Sequence, residues 1–464
     1  MIYENMDQLN RSLRGILKIT GSDVTVLDEE KFRGSLVDAL IYSAVFSPCG
    51  ETKKAAQWLI RSGGTSLGIV SSSIQSLYEA MGRKEVSGFT VPAINIRGLT
   101  YDVVQAVMRA AMKNHVGPVI FEIARSEIVY TFQSPAEYTS AATAAAIKVG
   151  YRGPLFMQGD HFQVSAKKFA KDPATEIQAV KNLIREAIEG GFYNIDIDTS
   201  TLVDLTKTTV KEQQRTNCTL AADLTAMIRD LEPAGVTISV GGEIGEVGGK
   251  NSTVEELRSF MDGYIEELGK GGKDLKGISK ISVQTGTAHG GVPLPDGSVA
   301  DVKLDFGTLE KLSEIARTEY GLAGAVQHGA STLPDEVFDK FPAIKTAEIH
   351  LATGFQNIIY DSKNFPARFR DKIYHHLKTE FISEKKGNDT EEQFIYKTRK
   401  KGFGSFKREL WHLPSDTLQS LGKELEDKLS FLFHKLNVIN TEDTTKRFVK
   451  PVIVPLKAPE GLGG

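Results

Sequence analysis

The sequence predicts an α/β fold, a TIM (β/α)8 barrel with helical N-terminal and C-terminal extensions, and two observations predict it. Eight short β-like runs follow one another, each succeeded by a helical pattern or a loop, and eight such units in about 270 residues is the arithmetic of this barrel. The runs are also continuously apolar, as strands are when a parallel sheet is covered on both faces. A doubly wound open sheet is the alternative that the same alternation allows.

The runs, in order, are TVPAINI from Thr90, GPVIFEIA from Gly117, GPLFMQGD from Gly153, FYNIDIDT from Phe192, VTISVGGE from Val236, ISKISVQTG from Ile278, GAVQHG from Gly324 and AEIHLAT from Ala347. Several follow or contain a glycine that ends the preceding helix. Between them, ATEIQAVKNLIREAIEGG and STVEELRSFMDGYIEELGKGG carry apolar residues at helical spacing, the second opened by a capping box at Ser252 and Glu255. After the seventh run, Ser331 or Thr332 is placed to cap a helix, with Pro334 in its first turn and Asp335 and Glu336 complementing its dipole. Three regions result: a mostly helical extension over 1–88, the barrel over 89–365, and a helical extension over 366–464 that contains the lysine-rich connector KKGNDTEEQFIYKTRKKGFGSFKREL.

Composition narrows the partners. The chain has 464 residues, 41% of them apolar, and a net charge of −3, so it can bury a large core and offers nothing that attracts nucleic acid or an anionic membrane. The start, MIYENMDQLNRSLRG, has no apolar stretch of a secretion signal, and no apolar run approaches the roughly 20 residues that span a bilayer, so a cytoplasmic protein is expected. Cys49 and Cys218 are too few for a disulfide framework and are not spaced as a metal knuckle.

Three histidines stand at the C-terminal ends of expected strands, where barrel active sites form: His161 in GDH, His289 in AHGG and His328 in QHGA. A glycine beside each lets the backbone turn sharply and brings the imidazole toward a common axis. Three neutral imidazoles and an open position make a catalytic zinc site, which would also tolerate cobalt or manganese. Glu243, at the end of the fifth run, is placed to complete that set.

The ordered motifs VPAINI, GDH, IDIDTS, GGEIGEVGG, TGTAHGG and VQHGAS resemble the metal-dependent, class II fructose-bisphosphate aldolases, from about Ser71 to Tyr360. The resemblance implies that His161, His289 and His328 hold the zinc, that Glu243 is a ligand or near-ligand, and that Asp198 lies near a second, monovalent or divalent, cation. It puts a substrate phosphate on Gly329, Ala330 and Ser331, with Gly290, Thr353 and His350 in the remaining substrate shell. Aldol cleavage removes a proton from the C4 hydroxyl as the C3–C4 bond breaks, so a carboxylate has to stand beside the reacting oxygens. Asp160, immediately before a ligand histidine, is the expected acid/base; its simpler role would be to orient His161. The implied activity is reversible cleavage of a phosphorylated ketose, as in glycolysis, to dihydroxyacetone phosphate or a close analogue and an aldehyde, by a homo-oligomer (dimer or tetramer). A sugar-phosphate isomerase or epimerase using the same metal, and a non-catalytic aldolase-like subunit, are the alternatives.

The sequence departs from that family in its substrate shell. The acidic pair of the mobile loop reads Lys250 and Asn251, which leaves Glu246 as candidate proton-transfer acid. The Asn-Ile-Asp segment of strand eight reads His350, Leu351 and Ala352, and the lysine just upstream is Glu348. After strand two, Ala124, Arg125 and Ser126 bring an extra guanidinium toward the pocket. Arg125 is expected to bind a substrate anion or else to pair with Glu127 or another loop acid. The tail YKTRKKGFGSFKR, with Arg399, Lys400, Lys401, Lys407 and Arg408, reads as a solvated face or as an anion clamp reaching a pocket.

Overall fold

The computed structural model describes residues 1–245, 250–272, 274–286, 294–295 and 304–462. Two N-terminal strands, β1 (Leu17–Thr20) and β2 (Asp23–Val26), form an antiparallel hairpin, and β3 (Ile69–Ser71) runs parallel to the start of β6 (Gly153–Gln163). The first 88 residues are therefore not helical throughout, because short β-branched runs there find strand partners.

Eight parallel strands close into a TIM barrel: β4 (Val91–Asn95), β5 (Ile120–Ala124), β6, β7 (Asn194–Asp198), β8 (Ser239–Gly245), β9 (Lys280–Val283), β10 (Ala325–Gln327) and β11 (Glu348–Leu351). The ring runs β6-β5-β4-β11-β10-β9-β8-β7, and β7 pairs back onto β6. Each corresponds to one of the eight apolar runs of the sequence.

Local chemistry sets the helices between them. Ser134 caps Pro135–Val149, which has proline in its first turn and ends on Gly150 at φ 83°. Asp172 caps Pro173–Glu189, and a Thr209/Glu212 capping box opens Val210–Leu231. The box expected at Ser252 and Glu255 lies one residue on, at Thr253 and Glu256, because the Ser252 hydroxyl is taken by Gly245 O at 3.3 Å and Gln284 N at 2.9 Å. The helix expected after the seventh barrel strand is also different. Ala330–Thr332 and Asp335–Val337 are single 3-10 turns and Lys340–Ala343 is a four-residue helix, while the Ser331 hydroxyl accepts from Gly354 N at 3.0 Å across to β11's loop.

Both extensions pack on the barrel wall. Helix Gly50–Ser66 lies so close to Pro135–Val149 that a Cβ on Gly64 would stand 2.5 Å from the Thr143 methyl. Helix Gln75–Gly82 closes the N-terminal mouth, with Tyr78 fully buried against Glu348. On the other side, Ser415–Lys435 rests on Thr100–Lys113, with an Arg109–Glu426 pair at its edge. The stretch around Arg399 reaches the rim of the C-terminal mouth, anchored by Asp361 at 2.6 Å and by a Lys407–Glu137 ion pair.

Candidate active site

Consecutive residues of a strand face opposite sides, yet Asp160 and His161 line the same cavity. A bulge explains it. The register of β6 against β7 shifts between Gly159 and Phe162, and His161 takes φ 40°, so the extra residue swings its side chain back toward the axis. Glycine is required just before it: a Cβ on Gly159 would stand 2.4 Å from the Phe162 ring.

Asp160, His161 and His328 bring one donor atom each to within 4.8 Å of one another. The rings of His161 and His328 lie 4.1 Å apart, and Asp160 Oδ1 is 3.8 Å from His161 Nε2 and 3.5 Å from His328 Nε2. Asp198 stands 3.1 Å from His161 Nδ1, an arrangement that leaves Nε2 to face the centre. Its own remaining lone pairs are occupied by Gln163 Nε2 at 2.6 Å and by the amide and hydroxyl of Ser200 at 3.1 and 2.7 Å. Glu243 approaches from β8, 3.9 Å from His161 Nδ1 and 3.8 Å from His328 Nδ1. Burial and the charge of Asp198 push its carboxyl up to about 8 against the pull of His161. Burial, with the charges of His350 and His161, presses His328 well below its ordinary value, so it is a neutral imidazole at pH 7. Burial works upward on Asp160, but His161 and His350 outweigh it and hold the carboxylate ionised. Convergent imidazoles, an ionised carboxylate whose Oδ1 is buried without a hydrogen-bond partner, and a carboxylate behind one ring fit a divalent metal.

Below this group the barrel interior is charged where branched aliphatic side chains are usual. Lys280 of β9 reaches Glu348 of β11 at 2.5 Å, Gln158 of β6 at 2.8 Å and Asp196 of β7 at 3.0 Å, with only 1% of its side chain exposed. Gln158 in turn donates to Glu122 at 3.0 Å and to Glu348 at 2.9 Å, and Tyr78 donates to Glu348. β8 makes room with glycine: a Cβ on Gly241 would meet Asp196 Oδ1 at 2.3 Å. His350 sits in the middle, with Nδ1 3.0 Å from Glu122 and Nε2 2.6 Å from Glu348. Burial opposes its charge, but Glu122 and Asp160 raise its pKa well above the ordinary value.

The cavity above has a volume of about 710 Å³. Gly329, Ser331, Thr353 and His350 line it, as does Arg125, but the Arg125 guanidinium is bound by Glu176 at 2.5 and 3.3 Å and by the Gln163 carbonyl at 2.6 Å. Its partner is thus a helix acid 51 positions along the chain and not Glu127. Replacing Arg125 with alanine should cost about 1.5–3 kcal/mol of stability, the range for a hydrogen bond to a charged group, measured by denaturant unfolding. Glu127 instead holds Arg97 at 2.8 Å; Arg97 also donates to Gln356 at 3.0 Å and to Thr353 at 3.2 Å. From the C-terminal extension comes Lys400, whose ammonium lies 5.7 Å from the Tyr130 ring centroid and, among the described residues, within 4.0 Å of no carboxylate. Burial and the nearby Arg97 lower its pKa. Ala330 is buried beside the cavity. His289, Gly290 and Glu246 lie outside the described residues.

The sequence motifs give no role to Arg97, Glu122, Gln158, Asp196 and Lys280, yet all five stand in or under the cavity. The signal for four of them was there, a polar or charged residue inside an apolar parallel strand, where burial without a partner is costly.

The family model for fructose-bisphosphate aldolase class-II matches residues 75–401. Comparison with curated proteins returns no significant match. Among solved structures, the chain resembles one titled a probable tagatose 6 phosphate kinase from Sinorhizobium meliloti, at TM-score 0.50 and 17% identity over 80% of this chain and 96% of that one. It also matches a fructose-bisphosphate aldolase from Campylobacter jejuni, at TM-score 0.46 and 19% identity over 80% and 97%. The YdjI aldolase from Escherichia coli matches at TM-score 0.39 and 13% identity over 75% and 99%.

Proposed function

Because the chain belongs to the class II fructose-bisphosphate aldolase family, we propose that it is a zinc-dependent aldolase that reversibly cleaves a phosphorylated ketose to dihydroxyacetone phosphate, or a close analogue, and an aldehyde. The observation that carries this is the convergence of Asp160, His161 and His328 on one cavity. His161 and His328 would hold the metal, with His289 as third imidazole and Glu243 beside them. When bound, the metal supplies a Lewis acid for the ketose carbonyl and for the negative charge left on the three-carbon half.

The chain's own groups do the rest. Asp160, ionised and at the cavity wall, takes the C4 hydroxyl proton during cleavage and returns it during condensation. Asp198 keeps His161 from rotating. The Gly329–Ser331 turn, Arg97 and Lys400 hold the substrate's anionic end, Lys400 having, unlike Arg97, no carboxylate within 4.0 Å among the described residues. Replacing Lys400 with alanine should raise KM for a phosphorylated ketose by about 10- to 100-fold, the equivalent of a charge-assisted hydrogen bond, with kcat little changed in steady-state assays. The same proposal covers a homo-oligomeric cytoplasmic enzyme without nucleic-acid or membrane partners. Among the described residues no helix is long and apolar enough to cross a membrane.

The test is a screen of ketose phosphates with product analysis, before and after chelation and after zinc is restored. Two carbonyl fragments, formed only with metal, are expected. A single rearranged sugar phosphate would make the protein an isomerase or epimerase, and no turnover of any ketose phosphate by the metal-loaded protein would make it a non-catalytic relative.

A further inference from the structure

Next to the His161 and His328 group stands a second set of donors, of which the proposed reaction uses Asp160 and leaves Glu122 and His350 unused. Glu122 of β5, Asp160 of β6 and His350 of β11 each bring one donor atom to within 4.8 Å of the others, and all three line the cavity. His350 Nδ1 lies 3.0 Å from Glu122 Oε2 and 3.2 Å from Asp160 Oδ1. Its other nitrogen, Nε2, lies 2.6 Å from Glu348 Oε1. Glu348 therefore takes the ring proton on that side, which leaves Nδ1 as the nitrogen that faces two carboxylates and that a metal would take in place of a proton.

Three such groups turned on one another need a cation between them, either a proton or a metal. A second proton on the ring supplies charge but is not seated as a hydrogen bond: His350 Nδ1 and Asp160 Oδ1 are both buried without a hydrogen-bond partner, and the facing Glu122 Oε2 already accepts from Gln158. The spacing does suit a metal, since N and O donors with bonds of about 2.0–2.1 Å stand about 3.0–3.4 Å apart around it.

Charge points the same way. Glu122, Asp160, Asp196, Asp198, Glu243 and Glu348 are all buried in this part of the barrel. Among the described residues the only lysine or arginine within 4.0 Å of any of them is Lys280, held by Glu348 and Asp196. The neighbouring trio Asp196, Glu348 and His350 already has the Lys280 ammonium in it, whereas the Glu122 trio has no such cation.

We propose that Glu122, Asp160 and His350 form a second divalent-metal site, open to the cavity and sharing Asp160 with the site at His161 and His328. One imidazole and two carboxylates suit zinc, manganese or cobalt, and give an oxygen-rich anionic ligand in the cavity two cations to meet. The inference rests on the aldolase reading only in that Asp160 is shared; its ligand set is independent of it.

Metal stoichiometry tests it. The protein is stripped with a chelator, titrated calorimetrically with zinc, desalted and analysed for bound metal, alongside Glu122→Gln, His350→Asn and His161→Ala, with circular dichroism to establish folding. Two equivalents per chain are expected in the wild type and one in each variant; Glu122→Gln, which keeps size and the Gln158 hydrogen bond, decides the matter if His350→Asn does not fold. One equivalent that His161→Ala abolishes and Glu122→Gln retains would overturn the second site and leave the aldolase metal standing. One equivalent with the opposite pattern would overturn the first site and keep the second. Loaded with manganese, the wild type should show the spin-coupled resonance of a pair and Glu122→Gln that of an isolated ion; two uncoupled ions in the wild type would overturn the shared carboxylate.

Discussion

Asp160→Asn is expected to retain the metal held by the imidazoles and to bind ketose phosphate as the parent does, while kcat falls by about 10²- to 10⁴-fold, the usual weight of general acid–base catalysis. The amide has nearly the shape of the carboxylate but cannot take the C4 proton. Asp160 is suited to that task because His161 and His350 keep it ionised inside a buried wall, and because the β6 bulge puts it on the same face as His161. A loss confined to KM would assign it to binding, and an unchanged kcat would pass the role to another acid, with Glu246 next to be tested. Single-turnover and steady-state rates on the same substrate separate these outcomes.

Lys280→Met should destabilise the fold by about 3–5 kcal/mol, the cost of removing one partner from a buried ion pair and leaving the other charge uncompensated. Lys280 touches Glu348 at 2.5 Å and Asp196 at 3.0 Å, and neither has another lysine or arginine within ion-pair distance among the described residues. Denaturant midpoints measure the loss, and adding Glu348→Gln should recover part of it, because one of the stranded charges is then gone. The effect depends on pH. Burial pushes the Glu348 carboxyl upward, but Lys280 and His350 outweigh it and hold its pKa below the ordinary carboxylate range. A depressed folded pKa contributes stability that is present above the unfolded value of about 4.3 and is lost as pH falls through the folded one. The difference between wild type and variant should therefore be full at neutral pH and narrow in acid. A variant as stable as the parent at pH 7 would show that the interior network adds nothing net.

Much of the candidate site was legible because it is written locally. GDH and QHGA mark strand ends by the glycine beside each histidine, and strand ends are where a barrel gathers its reactive groups. Asp160 was readable from its place before His161, although a plain strand would have turned one of the two away. What the sequence did not reveal is the bulge that reconciles them, since a register shift exists only between two paired strands. The basic tail was legible as charge alone. That Lys400 enters the cavity while Lys407 pairs with Glu137 and Arg399 with Asp361 follows from how the C-terminal extension packs.

By itself the sequence determined the barrel, because eight apolar runs separated by capped amphipathic helices carry both the strand and the helix period within each unit, and closure buries them all. It determined the donor types at the strand ends as well. Only the tertiary structure decided which charges meet. Glu348 looked like a lost cation on strand eight, yet the cation comes from β9 as Lys280, two strands away around the ring. Arg125 looked free for a substrate and is tied to Glu176 on the helix after β6. His350 looked like a replaced substrate contact and stands among four carboxylates. Each of these depends on which inward-facing side chains share a level across the barrel, and that level is set by strand stagger when the sheet closes, a quantity that no local pattern encodes.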